Sequence, residues 1–256
     1  MAVPLRSYLG GRVFGELSGG PGPLMVALHG WGRDHRDFRN SLNGYSQLLV
    51  DLPGFGVSPP PAEAWGAADY AACVAAVLDE HAAPEPAVVL GHSFGGRVAV
   101  CLAASRPDLV RAMLLCAVPL LRPPGAGKVP LGYRLARKAH QMGLLGERRF
   151  EAIRRAHGSS DYNAASGVMR KVLVRVVNES YDAQLATVGC PVALLWGSAD
   201  QAVPPSMIDQ ARRRLTVPVA TEVVDGAGHD VHLQAPGRLA VMVEKLLDSS
   251  GKATRC

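Results

Sequence analysis

Apolar positions along this chain fall into short continuous runs, separated by longer stretches with three- and four-residue spacing. Residues 24–28, 47–52, 87–90, 112–118 and 192–196 are apolar runs, the mark of strands buried on both faces. Residues 219–224 predict a further strand, and two alternating pieces within 5–17 flank Gly10-Gly11 and predict an antiparallel hairpin. Helical spacing marks 67–82, 96–105, 205–215 and 237–247. Between 134 and 180 the pattern is helical only, with candidates at 134–145, 147–157 and 161–179. In the last of these Val168, Met169, Val172, Leu173, Val176 and Val177 form an apolar stripe, and Ser160 or Asp161 can cap its start. Residues 119–132 are rich in Pro and Gly and have no periodicity.

Strands that alternate with helices predict an α/β chain with a mostly parallel, doubly wound sheet and helices on both faces. The helices inserted over residues 120–185 then form a cap, and the core is made of 1–119 and 186–256. In such a sheet, ligands bind at the carboxyl ends of the strands.

Composition narrows the class. The chain has 256 residues, 48% of them apolar, enough for a sizeable core and too many for disorder. Cysteines at 73, 101, 116, 190 and 256 have no metal or redox spacing and do not form a disulfide framework, which points to a reducing compartment. The N-terminus has no basic segment followed by a long apolar one, so no signal peptide is expected. No run approaches the ~20 apolar residues of a membrane span. A cytoplasmic protein is the expectation. Formal charge is +5, but residues 120–180 carry 12 Lys+Arg against 4 Asp+Glu. That excess sits on solvated helix faces or forms a positive surface that attracts anionic partners.

The chemistry centres on Gly91-His92-Ser93-Phe94-Gly95. It joins an apolar run to an alanine-rich helical run, so Ser93 stands at the apex of a tight strand-to-helix turn. Gly91 and Gly95 relieve crowding there because neither has a Cβ. This is a nucleophile-elbow pattern. Two further strand ends carry partners: Asp200 follows 192–196, and His229 follows 219–224. A serine hydroxyl needs an adjacent base. A histidine can take its proton and return it. An acid on the other ring nitrogen fixes the tautomer. The competing readings are specific. Asp200 can instead cap the helix after Pro204 or close a turn with Ser198. Asp225 shapes the turn before His229, and His232 is a rival base. His92 is read as packing or support. Asp51 and Ser58 bond to the backbone of their own glycine turn.

An oxyanion site needs two backbone N–H donors. Phe94, after the nucleophile, supplies one. Trp31, in His29-Gly30-Trp31-Gly32 after the 24–28 strand, is the candidate for the other, the competing reading being a core residue whose indole walls the pocket. Leu120, Leu121, Met142, Met169 and Val203 are candidate pocket residues. No cofactor, metal or nucleic acid is called for.

These motifs in this order resemble the α/β-hydrolase superfamily over nearly the whole chain. The resemblance implies eight strands with the second antiparallel, a helical cap after the sixth, and Ser93, His229 and Asp200 as nucleophile, base and acid. It implies an ester hydrolase working through an acyl-enzyme. Serine at the elbow argues against epoxide hydrolases and haloalkane dehalogenases, which carry aspartate there. His29-Gly30-Trp31-Gly32 with Asp51-Leu52-Pro53-Gly54-Phe55-Gly56 is most similar to esterases of pimeloyl-carrier-protein methyl ester, whose elbow reads Gly-Trp-Ser-Leu-Gly, unlike this one. A basic cap suits an acidic acyl-carrier protein. Carbon–carbon bond hydrolases and cofactor-free perhydrolases share the triad, and a hydrolase-fold receptor with little turnover is a reading from another class.

Overall fold

A computed structural model describes residues 3–42, 44–121, 131–157 and 159–253. Its centre is an eight-stranded sheet in the order β1-β2-β4-β3-β5-β6-β7-β8. The strands are β1 (Leu5–Tyr8), β2 (Val13–Ser18), β3 (Met25–Leu28), β4 (Gln47–Asp51), β5 (Ala87–His92), β6 (Val110–Cys116), β7 (Val192–Gly197) and β8 (Val219–Val224). Only β2 runs antiparallel to its neighbours; β3 through β8 pair in parallel. β3, β4, β5 and β7 are buried at every position, as their continuous apolar runs require.

Helices α1 (Ala67–His81) and α2 (Phe94–Ser105) pack on each other, and α2 lies across β3, β5 and β6. Between β6 and β7 come α3 (Leu131–Gln141), α4 (Glu147–His157), α5 (Ser160–Ala164), α6 (Gly167–Val176) and α7 (Asp182–Thr187). After β7 follow α8 (Ser206–Arg212), α9 (Val231–Gln234) and α10 (Pro236–Ala253), the last packed along β6, β7 and β8.

Several boundaries differ from the pattern in the sequence. The expected 161–179 helix is two helices, α5 and α6, because Ala165 turns to extended backbone (φ −70, ψ 143). The apolar stripe falls almost wholly within α6, so periodicity alone hides the break. The cap of α5 is Ser159, whose Oγ accepts from the Tyr162 N–H at 3.2 Å, not Ser160 or Asp161. The first helix of this insert runs over 131–141 rather than 134–145, and the chain then reverses at Gly143 with φ +72. Most of the proline- and glycine-rich stretch at 119–132, and Cys256, lie outside the described residues.

Both ends of the insert converge on α2. Tyr181 N–H donates to Leu120 O at 3.1 Å, across the incoming and outgoing chain. The Arg97 guanidinium, one turn beyond Ser93, donates to Pro119 O at 3.1 Å and also to Val176 O. It lies 5.8 Å from the Tyr181 ring centre. A buried cation is costly unless its donors are matched, and here two carbonyls and a π-face match it.

Candidate active site

The turn from β5 into α2 holds Ser93 at φ 47, ψ −108, a left-handed region that side chains other than glycine rarely occupy. Its N–H is anchored to Cys116 O at 2.9 Å. The flanking glycines are forced by space. A Cβ on Gly91 would stand 2.5 Å from the Gly96 Cα, and one on Gly95 would stand 2.1 Å from Leu28 O.

Ser93 Oγ lies 3.1 Å from His229 Nε2, and His229 Nδ1 lies 2.9 Å from Asp200 Oδ2. With its proton on Nδ1 the imidazole donates to the carboxylate and accepts from the serine hydroxyl. Asp200 is itself fixed, because Oδ1 accepts from the N–H groups of Ala202 (2.9 Å) and Val203 (2.8 Å). The indole of Trp196, fully buried, holds that loop by donating to Val203 O at 3.0 Å. Ala199 N–H donates to Ala227 O at 2.9 Å and ties the Asp200 loop to the His229 loop. Ser198, the rival partner for Asp200, instead donates to Asp225 at 3.1 Å. A hydroxyl, a neutral imidazole and a carboxylate in line can move a proton off the hydroxyl as it attacks a carbonyl carbon.

The loop after β3 reaches the elbow where Gly95 N–H donates to His29 O at 3.1 Å. Among the described residues, the N–H groups of Trp31 and Phe94 have no acceptor. Trp31 stands edge-on to Phe94 (5.5 Å) and Phe55 (4.9 Å), and Tyr70 edge-on to Phe94 (5.0 Å). These rings pack edge to face next to Ser93, which adjoins Phe94 in the chain. His29 is structural: Leu52 N–H donates to its Nε2 at 3.1 Å, which leaves Nδ1–H for Gly30 O at 2.7 Å. Burial pushes its pKa down.

The pocket candidates separate. Leu120, Leu121 and Val203 are buried, and Met169 packs its sulfur over Gly54. Met142 is 64% exposed just beyond α3 and stands apart from them. Asp51 and Ser58 do brace their turn: Asp51 accepts from Val57 N–H at 3.0 Å, and Ser58 Oγ donates to Asp51 O at 2.6 Å.

Sequence reasoning missed Asp37. Its side chain is 1% exposed, and around it stand Arg33, which is ion-paired to it, His232 Nε2 at 3.1 Å, and His92 Nδ1 at 3.6 Å. Gly30 N–H reaches it at 3.4 Å. Burial works to raise this carboxyl, but His232 and His92 outweigh it and hold it well below the usual range. Asp37 lies in an aperiodic polar stretch, where nothing in the sequence distinguishes it from a surface acid. Asp37, His92 and His232 have metal-compatible spacing, as do Asp34, His35 and Asp51. In both groups the carboxylates already face protein donors. Arg33 serves Asp37, Arg36 serves Asp34, and His35 N–H and Val57 N–H serve Asp51.

Of the cations between β6 and β7, Arg154, Arg155 and Arg170 all converge on Glu151, and Arg175 pairs with Asp69 and Glu179. Arg134, Arg137, Lys138, Arg148, Arg149 and Lys171 are exposed and form no ion pair among the described residues. No helix among those residues is long and apolar enough to cross a membrane.

The profile of the alpha/beta hydrolase family matches residues 25–241. The biotin biosynthesis bifunctional protein BioHC of Cellvibrio japonicus is 41% identical over 96 residues, 36% of this chain and 18% of that protein. The pimeloyl-[acyl-carrier protein] methyl ester esterase of Aeromonas hydrophila is 40% identical over 107 residues, 38% of this chain and 39% of that one. The matches thus span well under half of these curated relatives. The solved esterase from Exiguobacterium antarcticum superposes with a TM-score of 0.72 at 18% identity, covering 97% of this chain and 100% of that one.

Proposed function

Because the chain belongs to the alpha/beta hydrolase family, we propose that it hydrolyses carboxylic esters through an acyl-enzyme formed on Ser93. One observation carries the reading: the Ser93–His229–Asp200 chain, with contacts of 3.1 and 2.9 Å, begins at a serine held at positive φ. His229 takes the Ser93 proton as Oγ attacks the ester carbonyl. The oxyanion is received by the N–H groups of Phe94 and Trp31. His229 then returns the proton to the departing alcohol, and water repeats the sequence to release the acid. Residues 120–185 act as a cap over this site and set what reaches it.

A series of p-nitrophenyl esters of increasing acyl length, run beside Ser93→Ala, tests the proposal. Wild type turns over some of the series, and Ser93→Ala loses at least ~10³-fold. A folded Ser93→Ala with wild-type rates overturns it.

A narrower substrate class has its own support. Identity of 40% over 107 residues to an esterase of a carrier-protein methyl ester joins the six cations between β6 and β7 that form no ion pair among the described residues. An acyl group delivered on an acidic carrier protein fits both. Comparing kcat/KM for a methyl ester on a carrier protein and for the free methyl ester tests this reading.

A further inference from the structure

Behind the Ser93–His229 pair lies a buried imidazole that the proposed chemistry does not use. His92, the residue before Ser93, is 2% exposed. Its Nε2 lies 3.2 Å from the carbonyl oxygen of His229. Among the described residues no other donor approaches that carbonyl. Its Nδ1 has no hydrogen-bond partner and faces Asp37 Oδ2 at 3.6 Å. Burial holds this ring neutral, with its pKa lowered to about 4, so it has one proton to place. The nitrogen nearer an acceptor is Nε2, and a proton there makes the 3.2 Å contact a hydrogen bond.

The segment carrying His229 needs such a tether. It is glycine-rich, with Gly226 at φ +69. Gly226, Ala227 and Gly228 are tied before it and Asp230 O accepts from the Leu233 and Gln234 N–H groups after it, but apart from the His92 contact the backbone of His229 makes no tie of its own among the described residues. The rings of His92 and His229 are 5.0 Å apart and inclined by 53°, so stacking does not fix their relation. We infer that His92 is a positioning residue for His229: its Nε2–H donates to the His229 backbone carbonyl and sets the imidazole at the height and tilt that meet Ser93 Oγ. The His232 ring, its centre 4.1 Å away and inclined by 35°, packs against the His92 ring. Small displacements of a base cost large factors in rate, on the order of 10²-fold per ångström. The inference rests on Ser93 and His229 acting as nucleophile and base.

Two isosteres separate the donor from the packing. In His92→Gln the side-chain amide nitrogen reaches about where Nε2 stands. In His92→Asn it reaches only about where Nδ1 stands. Two readouts apply: the rate at which a fluorophosphonate labels Ser93, and kcat and KM on a p-nitrophenyl ester. The expected result is His92→Gln within about 3-fold of wild type in kcat and labelling, and His92→Asn reduced by about 10- to 100-fold in both with KM little changed. The inference is overturned if His92→Asn keeps the wild-type rate, or if Gln and Asn fall together, whether through inactivity or unfolding, since the ring's bulk is then what counts. Failure of the fluorophosphonate to label wild-type Ser93 would instead remove the reading of Ser93 as nucleophile, a distinct result.

Discussion

Asp200 meets His229 Nδ1 with one carboxylate oxygen at 2.9 Å, while its other oxygen accepts the N–H groups of Ala202 and Val203. That second pair of contacts decides the outcome of Asp200→Asn. The two N–H donors select the amide oxygen, so the amide NH₂ turns toward His229. Nδ1 must then accept, the ring proton moves to Nε2, and Nε2 can no longer take a proton from Ser93. We expect kcat to fall by on the order of 10³- to 10⁴-fold with the fold intact, measured by steady-state kinetics beside circular dichroism. A loss under about 10-fold would mean that the tautomer is set elsewhere.

Ser93 at φ 47 stores backbone strain that glycine would not. Ser93→Gly therefore removes activity and raises stability by about 1 kcal/mol, seen as a melting temperature roughly 2–4 °C higher. Ser93→Ala keeps the strain and gains nothing. Equal melting temperatures for the two variants would locate the strain outside this residue.

His92 makes stability depend on pH. Its folded pKa is near 4 against an unfolded value of 6.5, so between those values the unfolded chain binds the extra proton. Stability is complete above about pH 6.5 and declines as pH falls toward 4, by up to about 3 kcal/mol. Asp37, His232, His229 and Asp230 face the same ring, and Asp37 opposes the shift. Urea midpoints at pH 7 and pH 5 measure the drop. The drop should be smaller in His92→Gln, which cannot titrate, and an unchanged drop would assign it to other groups.

The cations between β6 and β7 divide by partner. Replacing Arg134, Arg137, Arg148 and Arg149 with alanine removes charges that hold nothing in place among the described residues. We expect kcat/KM for a carrier-bound ester to fall about 10-fold more than for p-nitrophenyl acetate, with the gap closing as salt is raised. Replacing Arg154, Arg155 and Arg170 frees Glu151, so damage there is structural and shifts both substrates alike. An equal effect of the first set on both substrates removes the carrier reading.

The arrangement of strands was readable because parallel strands buried on both faces leave apolar runs, as in Met25–Leu28 and Val192–Gly197. Ser93 and Asp200 were readable as strand-end groups because each follows such a run; His229 follows β8, a half-exposed edge strand, and was readable from the glycine turn before it. The break at Ala165 was not, since the apolar stripe begins only at Val168 and carries no signal for the residues before it. Asp37 was not, because its burial comes from residues brought in by β5 and α9, far away in sequence. The role of His92 was not, because it depends on a backbone carbonyl 137 residues on, and carbonyls leave no trace in side-chain pattern.

The tie between Tyr181 N–H and Leu120 O, reinforced by Arg97, closes the insert into a loop with a narrow neck. The neck is rooted on α2, the helix that follows Ser93, and the insert also touches the core where Met169 packs over Gly54 and Arg175 pairs with Asp69. On the proposed role of residues 120–185, the outer helices can be rewritten to change the guest while the neck keeps its seat on α2. A chimera that exchanges the segment between Leu120 and Tyr181 for that of another hydrolase, keeping both residues and Arg97, should inherit the donor's substrate range on this chain's own machinery.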